Sequence, residues 1–177
     1  MKIVELSPDT LKDAGKPCEP FEIIGRLRPS YIDGEWTCTE EIYGHPYLHS
    51  YPEEECDYSG YIGSADRAVF LAYIGEDCVG KIVLRKDWNK YVFVEDICVS
   101  RACRGQGVGT ALMQKAAEWA KAGQMAGLAL ETQDNNLSAC RFYSKFGFVI
   151  GAVNTMLYKN FPAPWSDASA IFWYLRF

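Results

Sequence analysis

The chain has 177 residues, 49% hydrophobic and 23% charged, with a formal net charge of -5. That length suits one domain, residues 1–177, burying roughly two-thirds of the surface its unfolded form exposes. The composition excludes a mainly disordered chain, and the acidic balance argues against a nucleic-acid partner, which would select a basic patch.

Residues 21–43 read as an extended hairpin, with Asp33 and Gly34 as the turn signal. Strands follow at 68–74 and 78–85 across the turn Gly75-Glu76-Asp77, and a third at 91–99 after a polar stretch. Such short spacing predicts an antiparallel meander. The period then changes: Ala111, Leu112, Ala116, Trp119 and Ala120 recur near helical spacing as far as Ala122, and Gly123 stops the run. A short buried strand is expected at 128–132. Asn136 is a suitable N-cap for a helix over 137–146, which Gly147 ends. Strands at 148–153 and 171–176 flank a loop containing Pro162 and Pro164. The order of strands, helix, strand, helix, strands predicts an α/β fold around a mixed sheet.

No early segment joins a basic start to an apolar core and a small-residue cleavage site, and no run reaches the ~18 apolar residues that span a bilayer. No membrane partner is expected, and the default location is the cytoplasm. The seven cysteines are odd in number and include no CxxC pair, so free thiols in a reducing compartment are expected. His45 and His49 lie four apart with Pro46 between them, which disfavours a helix, and no nearby carboxylate stands at metal-ligand spacing. No metal is therefore expected.

The sharpest motif is Arg104, Gly105, Gln106, Gly107, Val108, Gly109 and Thr110, set between a strand and a helix. Glycines let backbone N–H groups converge on an anion, and the helix dipole adds favourable partial charge, a geometry suited to a pyrophosphate. A Walker loop needs GxxxxGK[ST], which is absent. A dinucleotide fingerprint needs GxGxxG opening a βαβ unit, whereas these glycines run GxGxG after a meander. A glycine-rich connector without a ligand is the bland alternative.

Three segments in order favour a ligand. Arg104, Gly107 and Gly109 fit an Arg/Gln-x-x-Gly-x-Gly/Ala signature, preceded by the strand 93–99 and followed by Asn135-Asn136-Leu137-Ser138-Ala139-Cys140-Arg141-Phe142-Tyr143. Together they resemble the GNAT acetyltransferases, and stretches such as CEPFEIIGRLRPSY, VGKIVLRKDWNKYVFVEDICV and LALETQDNNLSACRFY resemble the streptothricin acetyltransferases among them. The resemblance covers roughly residues 18–158 and the C-terminus. It implies a mostly antiparallel central sheet flanked by helices, acetyl-CoA as co-substrate, and a small cationic amine, streptothricin, as acceptor. The strand before the loop would bulge and offer the backbone of Ile97, Cys98 and Val99 to pantetheine. Tyr143 would face the coenzyme sulfur, with Asn135 and Asn136 capping the helix or meeting pantetheine. Another polyamine, an aminoglycoside or a protein lysine is the alternative acceptor, and a coenzyme-A-binding sensor the non-enzymatic one. The sequence leaves monomer and homodimer open.

A phenol with a pKa near 10 is suited to protonate a departing thiolate, which makes Tyr143 the candidate acid; core packing beside Phe142 is the competing reading. Glu95 and Asp96 are adjacent carboxylates in an apolar strand, where charge is costly unless paired or used. One is expected to hold the substrate cation or relay a proton, and a salt bridge to a neighbouring base explains them equally well. Arg101 and Arg104 flank the loop and suit coenzyme phosphates. From 29 to 64 there is no lysine or arginine. Carboxylates there, among them Glu35, Glu40, Glu41 and the run Glu53–Glu55, interleave with Trp36, Tyr43 and other aromatics, a pattern suited to a cation.

Overall fold

Apart from β3, the alternating and apolar runs become strands within a residue or two of their sequence limits. The chain forms β1 (Lys2–Glu5), β2 (Phe21–Ile32), β3 (Glu35–His49), β4 (Arg67–Ile74), β5 (Asp77–Lys86), β6 (Tyr91–Val99), α1 (Val108–Ala122), β7 (Gly127–Gln133), α2 (Leu137–Phe146), β8 (Val149–Asn154) and β9 (Ala170–Arg176). This computed structural model describes residues 1–50 and 57–177. The acidic run Glu53–Glu55 lies outside the described residues. The mixed, mostly antiparallel sheet with two helices expected from the sequence is the architecture found.

Two units make up the chain, each drawn from separated stretches. The first comprises Met1–Pro20, Ser50–Leu128 and Arg176–Phe177. Its strands run in the order β1-β4-β5-β6, antiparallel throughout. Ala68 to Ala72 are all buried, so β4 is covered on both faces. Val69, Leu71 and Val83 pack with Leu6, Ala14 and Cys78. Strand alternation turns Phe70 and Ile82 the other way, toward α1, whose apolar stripe includes the fully buried Leu112, Met113 and Ala116. Burying each of the two larger side chains stabilises the helix by roughly 1.5–3 kcal/mol, more than its own propensity supplies. β1 escapes the sequence reading: four residues with two half-buried apolar positions show no period, and the strand exists because Ile3 and Val4 pair with Ala72 and Leu71.

The second unit comprises Phe21–His49 and Ala129–Leu175. Asp33 and Gly34 both have positive φ, as the two-residue hairpin turn requires, and β2 and β3 pair from Ile32↔Glu35 outward. β3 continues to His49, six residues past the expected end. The β2 backbone runs close to β3 at Gly25, where a Cβ would meet Glu41 O at a distance no side chain tolerates. Gly25 also bridges Asn136, so the absence of a side chain seats the hairpin against the start of α2. β8 and β9 are antiparallel and complete the unit with β7 in the order β7-β9-β8.

Candidate active site

In the first unit, β6 leads through a 3-10 turn at Arg101–Cys103 into the glycine loop and α1. Gly105 and Gly107 have φ of 74° and 85°, and Gly107 is the N-cap of α1. Only glycine adopts this backbone at little cost. A Cβ at either position would meet nothing within 4 Å, so backbone conformation alone selects glycine and the space over the loop is open. No side chain among the described residues caps α1. Its first N–H groups and the positive end of its dipole thus stand ready for an anion. In the loop Val108 is buried as the anchor, while Gly105, Gln106, Gly107 and Thr110 are exposed, an arrangement with the backbone and dipole features expected of a phosphate cradle.

Arg104 departs from expectation. Its guanidinium donates to Val99 O at 2.9 Å and to Pro20 O and Glu19 O at 3.2 Å each. The side chain is therefore a strut between the 18–20 segment, the end of β6 and the loop, and it is spent on backbone carbonyls here. Glu19 reinforces the strut by accepting the Arg101 amide at 2.9 Å. Gln106 folds back to donate to Ala102 O at 2.7 Å.

The bulge expected in the strand before the loop is present. Val83 pairs with Asp96 and Leu84 with Val94, leaving Glu95 as the extra residue. Both carboxylates are paired. Glu95 accepts from Tyr61 Oη at 2.7 Å and from Arg85 Nε at 3.0 Å. Burial, aided by the Glu95 charge, pushes the Tyr61 hydroxyl up to about 12. Asp96 meets Lys81 Nζ at 2.9 Å; the lysine side chain is 3% exposed, the aspartate 39%. Burial opposes the Lys81 charge, yet Asp96 and the Tyr58 hydroxyl hold its pKa above the ordinary value. Beyond the bulge, Ile97, Cys98 and Val99 pair with Ile82, Lys81 and Gly80. The Cys98 thiol donates to Asp96 at 3.3 Å and lies 2.6 Å from the Cys18 sulfur.

In the second unit, Tyr143 sits in the penultimate turn of α2, 7% exposed, with Phe148 and Trp173 rings at 5.9 and 6.3 Å. Its carbonyl also accepts the Gly147 and Phe148 amides that end the helix. Asn136 caps α2 as expected, its Oδ1 accepting the Ala139 amide at 3.2 Å. Asn135 is buried, and its Oδ1 has no hydrogen-bond partner among the described residues. Asp134 stands beside Arg26 at 3.6 Å and accepts the Ser169 amide.

Sequence reasoning missed Glu131 on β7. Burial raises its pKa, one oxygen accepts Tyr158 Oη at 2.8 Å, and the other is buried without a partner among the described residues. A carboxylate held this way takes up a proton readily. The signal was in the sequence: a lone ionisable residue directly after the apolar run Leu128–Leu130 in a short strand, much like the signal that singled out Glu95.

The hairpin residues separate by face. Glu35, Trp36 and Glu40 line a pocket of about 680 Å3 with Arg141, Lys145 and Trp173, whereas Glu41 and Tyr43 do not line it. Arg141 Nε donates to Glu40 at 2.9 Å and holds that carboxyl below its usual range. Arg28 pairs with Glu41 at 2.6 Å. Glu35 keeps no ion pair among the described residues, and the Trp36 ring lies 5.0 Å from that of Tyr31, tilted by 50°. The expected acidic surface is thus partly neutralised by arginines from outside the 29–64 stretch, which a local count of charge misses.

Residues 31–148 match the acetyltransferase (GNAT) family. Streptothricin acetyltransferase A of Bacillus subtilis (strain 168) is 47% identical over 175 residues, 99% of each chain. A crystal structure from Bacillus anthracis str. Ames in complex with acetyl coenzyme A has a TM-score of 0.91 at 38% identity, covering 99% of both chains. Nourseothricin acetyltransferase gives a TM-score of 0.82 at 25% identity, covering 99% of this chain and 97% of that one.

Proposed function

This chain belongs to the acetyltransferase (GNAT) family, and on that premise we propose that it transfers the acetyl group of acetyl-CoA to the β-lysine amine of streptothricin, giving resistance to the antibiotic. The observation that carries the reading is the open glycine loop at the uncapped start of α1, following a bulged strand, in a chain 47% identical over its length to a streptothricin acetyltransferase. We take residues 1–177 as one acetyltransferase domain acting in the cytoplasm, where acetyl-CoA is supplied.

Acetyl-CoA is the co-substrate, and the loop fits it: amides at 105–110 and the α1 dipole hold the pyrophosphate, while the backbone of Ile97, Cys98 and Val99 is assigned to pantetheine. Asn135, with its unsatisfied Oδ1, is assigned to an amide donor of the same arm. The acceptor arrives as an ammonium and must lose a proton to expose its lone pair. Glu131, kept easily protonated by burial, receives that proton directly or through water. The amine nitrogen then bonds to the thioester carbon, the C–S bond breaks, and Tyr143 supplies a proton to the departing thiolate. Asp96 neutralises buried Lys81; Glu95, shared with Arg85 and Tyr61 but exposed at the bulge, is the carboxylate assigned to the substrate cation. Glu35, Trp36, Glu40 and Tyr43 add negative charge and aromatic surface that concentrate a polycation.

Mass spectrometry of streptothricin incubated with the protein and acetyl-CoA tests the reading. One added acetyl group on the β-lysine moiety is expected. Acetylation of an aminoglycoside or a protein lysine in place of streptothricin would overturn the acceptor, and acetyl-CoA binding without thiol release would leave a sensor.

A further inference from the structure

Cys18 and Cys98 are eighty positions apart in sequence, yet their sulfur atoms lie 2.6 Å apart and both are free thiols. Two thiols this close are within reach of a disulfide without movement of the backbone that holds them. Cys98 is fixed on β6 opposite Lys81. Cys18 is fixed by its neighbours: Glu19 accepts the Arg101 amide, and Arg104 donates to the carbonyls of Glu19 and Pro20. Cys18 is exposed, whereas Cys98 is half-buried behind it.

Asp96 completes a cluster whose three ligand-type atoms lie within 4.8 Å of one another. The Lys81 ammonium already occupies that carboxylate at 2.9 Å and sets positive charge against any cation. The cluster is therefore suited to thiol chemistry. Cys98 hydrogen-bonds Cys18 and, helped by Lys81, holds the Cys18 thiol down at about 7 against the effect of burial. Sharing with Cys18, then burial, push Cys98 the opposite way. One exposed thiol pushed toward the thiolate beside a half-buried partner pushed the other way is the arrangement of an attacking and a resolving cysteine.

We propose that Cys18 and Cys98 are a redox modification site, closed by a hydroperoxide to a reversible disulfide that ties the 18–20 segment to β6 beside the glycine loop. The Cys18 thiolate attacks the peroxide O–O bond, forming a sulfenic acid and expelling hydroxide or alkoxide. The Cys98 sulfur then attacks the Cys18 sulfur; the S–O bond breaks, and the hydroxyl leaves as water with the thiol proton. Two thiols give up two electrons and the peroxide is reduced. A dithiol reductant reverses the step.

The test treats the full-length protein with hydrogen peroxide, alkylates residual thiols and digests with trypsin without reductant. Cys18 and Cys98 are the sole cysteines of tryptic peptides 13–26 and 91–101. A linked pair of these peptides, lighter by two hydrogens and separated by dithiothreitol, is expected in the parent and absent from Cys18→Ser. Recovery of both peptides singly alkylated or over-oxidised would overturn the proposal, as would linkage of either to another cysteine. A second arm rests on the acetyl-transfer reading: the linked protein should turn over several-fold more slowly and recover with dithiothreitol, while Cys18→Ser treated alike keeps its rate. Full turnover by linked protein would overturn the regulatory consequence, whereas the linkage itself is read without any activity.

Discussion

Replacing Tyr143 by phenylalanine separates packing from chemistry. The ring is 7% exposed and lies against Phe148 and Trp173. Phenylalanine keeps those ring contacts, so stability should fall only by the net value of a hydroxyl interaction, about 1 kcal/mol. For a chain of this length that is roughly 2–4 °C in Tm. Alanine, by contrast, would empty the site and cost about 3–5 kcal/mol. The chemical term is larger than the phenylalanine penalty: general acid catalysis contributes ~10²–10⁴-fold, or about 3–5 kcal/mol of barrier. Tyr143→Phe should therefore melt close to the parent and lose that factor in kcat, with little change in either KM. Single-turnover acetyl transfer, followed by quenched-flow across pH 6–10, isolates the chemical step from product release. A Tyr143→Phe rate equal to the parent's over that range would show that Tyr143 only packs, and the assignment of the proton to it would fall.

Gly107→Glu puts a β-carbon and a negative charge into the open space over the loop at a φ of 85°. Titration calorimetry should show acetyl-CoA affinity down at least ~100-fold, the order expected when charge and left-handed backbone are both mismatched; Gly107→Asn, which tolerates that backbone, should lose far less. Glu131 has a raised pKa, so its ionisation costs stability, a cost absent below the ordinary carboxylate value, growing between that value and the raised native one, and constant above it. Glu131→Gln should raise Tm at pH 8 relative to the parent and much less at pH 4, while kcat falls roughly 10²-fold or more and loses its acidic limb; an unchanged pH–rate profile would exclude it as the base. Among the described residues Glu35 lacks an ion pair whereas Glu41 is bound to Arg28, so Glu35→Gln should raise the amine KM about 2–5-fold, the value of one exposed charge. Glu41→Gln should leave KM near the parent's, and equal effects of the two would show that the pocket face does not read the cation.

The sequence by itself determined most of the elements and the glycine loop between β6 and α1. Those signals are local: period 2 against period 3.6, Asp33-Gly34 at a turn, Asn136 and Gly147 at the ends of a helix, and glycines where φ must be positive. Each is decided by residues a few positions apart, so it survives in a one-dimensional reading. The bulge at Glu95 was legible only through resemblance, because no composition marks one extra residue in a strand. Pairing across long sequence distance was decided by tertiary structure. Glu40 and Arg141 are 101 positions apart, Arg104 and Glu19 85, and Cys18 and Cys98 80. Whether a carboxylate is spent on a cation, whether an arginine meets phosphate or holds backbone, and whether two thiols meet depend on which strands lie side by side. So does the burial that raises the pKa of Glu131: a charged residue in an apolar run announces a cost, but only the packed chain decides whether a partner, a proton or a substrate meets it.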